Sequence, residues 1–295
     1  AAAGATNIYT WAYIDETMKE RFGDKDQVAL SGTDKAGAPL AAAASPFYKD
    51  DPALQTARLE PSFVYTLPTG DARLRGMAQS FNRVGGLVDV LAAKVAIDPV
   101  AVLAVWYVES GGRPFLLGRP VLRFENHKFF DKWGHLHAAT FDKHFQFGGR
   151  AGNPPPRSKH HKYRKQVGDP WKPVHIDSQD REYDAFGLGE SLGGTEAACW
   201  SSSFGGPQIM GFNHSVCGYA SATALRDAFA ADERWQVLGF FDYCRSNNLM
   251  DEIRNHDWVR FGALYNGDGA TYGPLLRKAF EKKDELLALP TTPNP

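Results

Sequence analysis

Asp98-Pro-Val-Ala-Val-Leu-Ala-Val-Trp-Tyr-Val-Glu109-Ser-Gly-Gly112 is the stretch whose reading decides the fold. Asp98 is a good N-cap and Pro99 suits the first position of a helix. The residues that follow are almost all apolar through Val108, so this helix should be surrounded by protein rather than half exposed. Gly111 and Gly112 stop it. Glu109 falls four residues after Val105 and seven after Val102, on the same stripe as core residues. A carboxylate placed there is partly desolvated and sits at the negative end of the helix dipole. Both effects penalise the charged form. A carboxylic acid that stays protonated near neutral pH can serve as a general acid. The plainer alternative is a glutamate that escapes to solvent at a helix end.

Composition sets the frame around this helix. The chain has 295 residues, 43% of them hydrophobic, which is enough for one large domain or a main domain with a smaller one. The formal net charge of -1 gives no global attraction to nucleic acid or an anionic membrane. No apolar run reaches the ~18 residues of a membrane span. Cys199, Cys217 and Cys244 are too few and too scattered for a disulfide framework; Cys244 is expected as a buried thiol, and a Cys199–Cys217 bridge is not indicated. The first residues lack Met, which leaves room for an upstream domain.

Outward from Glu109, the chain is expected to be mainly helical. Residues 1–70 read as an appendage: one short helical pattern on Trp11, Ile14, Met18 and Phe22, then irregular chain rich in Gly, Ala, Pro and Ser. Residues 71–290 read as the main domain. Leu74, Met77 and Phe81 mark one helix, and Leu87, Leu91 and Val95 a second one after Gly85-Gly86. Residues 114–120 suggest a hairpin, and 121–127 a strand entering a helix, which makes a small β element after the Glu109 helix. Residues 131–180 are polar, rich in Gly, Pro and His, and read as a long loop with a basic run from Arg157 to Lys165. Without interleaved aromatics that run reads as a solvated surface and not as a nucleic-acid site. Helical pattern returns at 181–198 and, after a glycine-dense turn, fills 221–287. Pro290 and Pro293 predict a frayed tail.

Several separated motifs occur in one order: Val-Glu109-Ser110-Gly-Gly, Gly118-Arg-Pro-Val-Leu-Arg-Phe-Glu125-Asn-His, Ser203-Phe-Gly-Gly-Pro-Gln208-Ile-Met-Gly-Phe-Asn, Cys217-Gly-Tyr, and Asp257-Trp-Val-Arg-Phe-Gly-Ala-Leu-Tyr265-Asn266-Gly. Over about residues 80–285 the chain resembles the phage-type N-acetylmuramidases of the lysozyme-like superfamily. It departs from them in the longer, more basic segment at 131–180 and in the Gly-Pro-Gln of its glycine turn. The resemblance implies a lysozyme-like α+β fold and hydrolysis of the β-1,4 bond between N-acetylmuramic acid and N-acetylglucosamine in bacterial peptidoglycan. Glu109 would protonate the leaving oxygen. Glu125 is the candidate second carboxylate, facing it across a cleft; the competing role for Glu125 is structural, paired with Arg123 or Arg119. Asp131 and Asp142 rank behind it. Ser110, Gln208, Tyr265 and Asn266 would contact substrate or hold Glu109, against the plainer roles of core packing and helix capping. Trp106, Tyr107, Phe115 and Phe124 offer stacking faces, though such residues are more often core. No cofactor and no metal are implied.

Three alternatives are kept beside this reading. A lytic transglycosylase would use the same Glu109 but let the muramyl 6-hydroxyl attack, releasing anhydro-muropeptides. A wall-binding module of the same shape would turn nothing over. A metal-dependent hydrolase would need ligands such as His135, His137, His160 or His161, with His135 and His137 on one side of a strand, but no His-Glu-x-x-His pattern accompanies them. The enzyme would act in the periplasm or on the wall of a target bacterium. It would do so as a phage endolysin or as a bacteriolytic antibacterial effector, the latter with a delivery partner or an immunity protein.

Overall fold

The computed structural model describes residues 47–176 and 178–295. The expected helix on Trp11, Ile14, Met18 and Phe22 lies outside the described residues. A short helix, α1 (Pro52–Thr56), and a strand, β1 (Phe63–Tyr65), precede two long helices. These are α2 (Ala72–Val95) and α3 (Pro99–Ser110). The Asp98 carboxylate accepts from Val100 N at 2.8 Å, and Gly111 closes α3 in the left-handed region at φ 64°. Every residue of α3 from Val100 to Trp106 is buried.

Next come a hairpin, β2 (Phe115–Leu116) with β3 (Arg119–Pro120), then β4 (Leu122–Phe124) and a short helix, α4 (Asn126–Phe129). A π-helical turn at Phe130–Gly134 leads to α5 (Ala138–His144) and a three-stranded antiparallel sheet. Its strands are β5 (Phe145–Gln146), β6 (Lys162–Tyr163) and β7 (Lys172–Pro173). Helices α6 (Gln179–Gly193) and α7 (Thr195–Trp200) follow. Strands β8 (Ser202–Phe204) and β9 (Ile209–Met210) then join β4, with Leu122 opposite Phe204 and Ser203 opposite Met210.

The rest is helical: α8 (Ala222–Ala231), α9 (Glu233–Ser246), α10 (Met250–Arg254), α11 (Trp258–Tyr265), α12 (Gly269–Phe280) and α13 (Lys283–Leu287). A last strand, β10 (Thr291–Pro293), pairs antiparallel with β1. The protein is therefore mainly helical, with small antiparallel sheets after the Glu109 helix, as expected. Among the described residues, no helix is long and apolar enough to cross a membrane.

Three expectations are corrected. Gly85-Gly86 does not break the helix. α2 runs through both, because a Cβ at Gly86 would lie 2.3 Å from the Glu60 carbonyl oxygen, so glycine serves close approach there rather than termination. Residues 131–180 are not a structureless loop. Phe129, Phe141, Phe145 and Phe147 form an aromatic core beneath them, and paired strands satisfy their backbone. The tail is not frayed, since 291–293 complete a sheet with 63–65.

Residues 47–70 pack on this body: Leu54 joins the main core and Tyr65 a second core with Leu74, Met77 and Phe81. The buried Asp242 of α9 accepts from Tyr48 N at 2.7 Å and from Lys49 N at 3.1 Å. The three cysteines are free and buried.

Candidate active site

Glu109 stands on the last turn of α3, where the apolar helix surfaces. Close backbone approach to α2 seats that helix end. A Cβ at Gly76 would meet the Tyr107 ring at 2.7 Å, and one at Gly112 would meet the Gly76 carbonyl at 2.5 Å. Arg83 locks the turn by donating to Gly112 O at 2.6 Å while its Nε pairs with Glu233 at 3.0 Å. Glu109 keeps an edge at the surface, yet protein packs closely around its carboxyl group. Burial pushes its pKa from 4.5 up to about 8, against the opposing pull of the Tyr272 hydroxyl and the positive field of Arg123. At neutral pH this carboxyl group is therefore mostly protonated.

Tyr272 is the partner that sequence reading missed. Its hydroxyl hydrogen-bonds Glu109 Oε1 from α12. That reach depends on how closely α12 lies against α11. A Cβ at Gly273 would lie 2.8 Å from Val259 Cα, and one at Gly262 would lie 3.2 Å from Tyr272 Cβ. The signal available in the sequence was Gly273, directly after Tyr272, in a helical pattern.

Glu125 sits among basic side chains. Its Oε1 accepts from Arg123 Nε at 2.7 Å. Its Oε2 lies 3.3 Å from His127 Nδ1, 3.3 Å from His161 Nδ1 and 3.8 Å from His175 Nε2. Burial alone would raise its pKa, but the histidines and Arg123 together hold it well below the usual carboxylate range. The expected second carboxylate thus has one oxygen held by Arg123 and the other set among three histidines. Asp131 and Asp142 are committed too, to Arg157 at 2.6 Å and Arg150 at 2.7 Å.

The remaining expected site residues divide. Gln208 closes the glycine turn: its Nε2 donates to Gly205 O at 2.8 Å and Val121 O at 3.2 Å, and its Oε1 accepts from Ser203 Oγ at 2.8 Å. Tyr265 is buried and donates to Pro207 O at 2.6 Å, which ties α11 to the same turn. Ser110 Oγ turns back to Trp106 O at 3.0 Å. Asn266 is exposed after the last residue of α11. Trp106 and Phe124 are core, while Tyr107 and Phe115 are only partly buried. His135 and His137 lie on no strand: they flank the π-helical turn and α5, and His137 stacks on Trp133 with ring centroids 4.7 Å apart.

The glycine turn backs α3. A Cβ at Gly206 would come within 2.0 Å of Trp106 Nε1, and Gly206 N donates to the buried Gln236 at 2.7 Å. So the end of α3, the glycine turn and α11 pack together, with Glu109 on the first and the other two behind it.

Comparisons with known proteins agree on a family. The sequence model of the N-acetylmuramidases matches residues 98–283, well over half the chain. Among solved structures the chain is similar to the Burkholderia AP3 phage endolysin. Identity is 27%, the TM-score is 0.50, and the match covers 67% of this chain and 70% of that one. A search of curated proteins gave no match.

Proposed function

We propose a reaction from one premise: the chain belongs to the N-acetylmuramidase family, with a lysozyme-like, α-rich fold. It is a peptidoglycan-degrading glycosidase. The bond cleaved is the β-1,4 link between N-acetylmuramic acid and N-acetylglucosamine, and Glu109 is the general acid. The observation that carries this is the place of Glu109 at the surfaced end of a buried helix, with Tyr272 on its carboxyl group and burial that favours the protonated form. Its proton passes to the glycosidic oxygen as the C–O bond breaks, and the sugar ring takes up positive charge. Water adds at the anomeric carbon and loses its proton to solvent or to a basic group.

Tyr272 acts as a positioning residue. It holds Oε1, so the other oxygen presents the proton, and it stabilises the carboxylate left behind. Arg123 adds to that stabilisation from the side of Glu125. Gln208, Tyr265 and Ser110 shape the support of the site, and Asn266 remains as the exposed amide for a sugar contact. We place the catalytic domain at 71–290 and assign 47–70 to it as a brace, on the strength of its buried contacts.

One observation favours a second reading. Each candidate second carboxylate is ion-paired: Glu125 to Arg123, Asp131 to Arg157 and Asp142 to Arg150. A lytic transglycosylase needs only one acid, with the muramyl 6-hydroxyl attacking in place of water. Mass spectrometry of digested peptidoglycan separates the two. Reducing-end N-acetylmuramic acid is the expected product; anhydro-muropeptides would transfer the assignment to the transglycosylase. A Glu109→Gln variant should lose about 10²–10⁴-fold in rate, the usual contribution of a general acid. Wall clearing at the parent's rate by that variant would remove Glu109 from the reaction.

A further inference from the structure

The histidine cluster around Glu125 has a geometry that the reaction does not use. His161 Nε2 lies 3.0 Å from the Arg157 carbonyl oxygen. A carbonyl only accepts, so Nε2 carries the hydrogen and the neutral ring presents a lone pair at Nδ1. His175 Nδ1 lies 2.7 Å from Glu182 Oε1, and Glu182 Oε2 accepts from Phe124 N at 2.8 Å. A carboxylate also only accepts, so His175 presents its lone pair at Nε2. These two lone pairs face each other at 2.8 Å. Glu125 Oε2 converges on the same point, and both it and His127 Nδ1 are buried with no hydrogen-bond partner. Two lone pairs and a carboxylate oxygen aimed at one point repel unless a positive centre lies among them.

We propose that Glu125, His161 and His175 form a binding site for a divalent cation of the zinc class. The spacings among Glu125 Oε2, His161 Nδ1 and His175 Nε2 are 2.8, 3.3 and 3.8 Å. They bracket the edge of about 3.3 Å of a tetrahedron with metal–ligand bonds of about 2.0–2.1 Å. A set of imidazoles and one carboxylate suits zinc. Glu182 and the Arg157 carbonyl supply the outer contacts that fix each ring's tautomer.

The site has three protein donors and leaves the cation's fourth position to water. Its ligands show what the cation joins. Glu125 lies where β4 runs into α4, and His161 and His175 lie in the segment at 131–180. The cation clips that segment to the strand following the catalytic helix. The competing occupant is a single proton shared by the two rings.

The test is calorimetric titration of zinc(II) alone into the whole chain, purified without a metal column and stripped with a chelator, together with thermal melts. One equivalent should bind with submicromolar affinity. At ~100-fold excess over Kd the melting temperature should rise by about 5 °C or more. His175→Ala should abolish binding, and Glu182→Gln, which leaves all three donors in place, should weaken it by about 10–100-fold. Affinity weaker than micromolar, an unmoved melting temperature, or full affinity in His175→Ala would overturn the proposal in favour of the shared proton. Binding and melting are read without wall cleavage, so the outcome stands apart from the fate of Glu109.

Discussion

Glu109 owes its acidity to two things that act against each other. Burial raises its pKa, and the Tyr272 hydroxyl and Arg123 restrain the rise. The protonated form is the donor, so activity should be retained below about 8 and fall as pH rises through that value. Tyr272→Phe removes a bond that favours the carboxylate, so the alkaline limb of the rate profile should move to higher pH; a limb that stays fixed or falls would contradict the positioning role. Stability is linked with the same sign. Folding raises this pKa, so the contribution is fully present below 4.5 and is lost as pH rises to about 8. Relative to the parent, Glu109→Gln should gain stability across that window, by up to roughly 1.4 kcal/mol per pH unit, as read from denaturant melts at several pH values. The acid was legible in the sequence because its cap, apolar run and glycine stop are all local. Tyr272 was not, because 163 residues separate it from Glu109 and only helix packing joins them. Gln208 and Tyr265 belong to recognisable motifs, but a motif does not say whether an amide or hydroxyl faces substrate or backbone.

Among the elements, the glycine turn between β8 and β9 sets the back wall of the acid's helix. Gly206→Ala would drive a methyl group into the Trp106 indole, whose side chain is fully buried. Overpacking of this kind costs about 1–3 kcal/mol, and the backbone contact to Gln236 gives the turn little room to shift. A loss of stability in that range in urea melts, with a lower rate as α3 is displaced, is the expected outcome; a neutral variant would show that the turn can slide. Elements with strong local codes, such as α3 between Asp98 and Gly111, were readable in advance. The segment at 131–180 was not, because its strands are two residues long and its core is made of phenylalanines scattered among polar residues.

For the whole molecule, the chain is closed on itself at both ends of the described region. Tyr48 and Lys49 are held by the buried Asp242, and β10 completes a sheet with β1. Asp242→Ala leaves two backbone N–H groups without their acceptor and should cost about 2–4 kcal/mol, with earlier proteolysis around residues 47–51. Unchanged melting and cleavage would show that this segment rides on the surface. Such contacts join residues 193 or more apart and leave no periodic trace, so composition alone made 47–70 look detached.

The most direct measurement is a ¹³C NMR titration of carboxyl-labelled protein, with the Glu109 signal assigned by its loss in Glu109→Gln. A midpoint near 8 is predicted. A midpoint at the ordinary glutamate value of about 4.3 would mean that the group is ionised at neutral pH and has no proton to give.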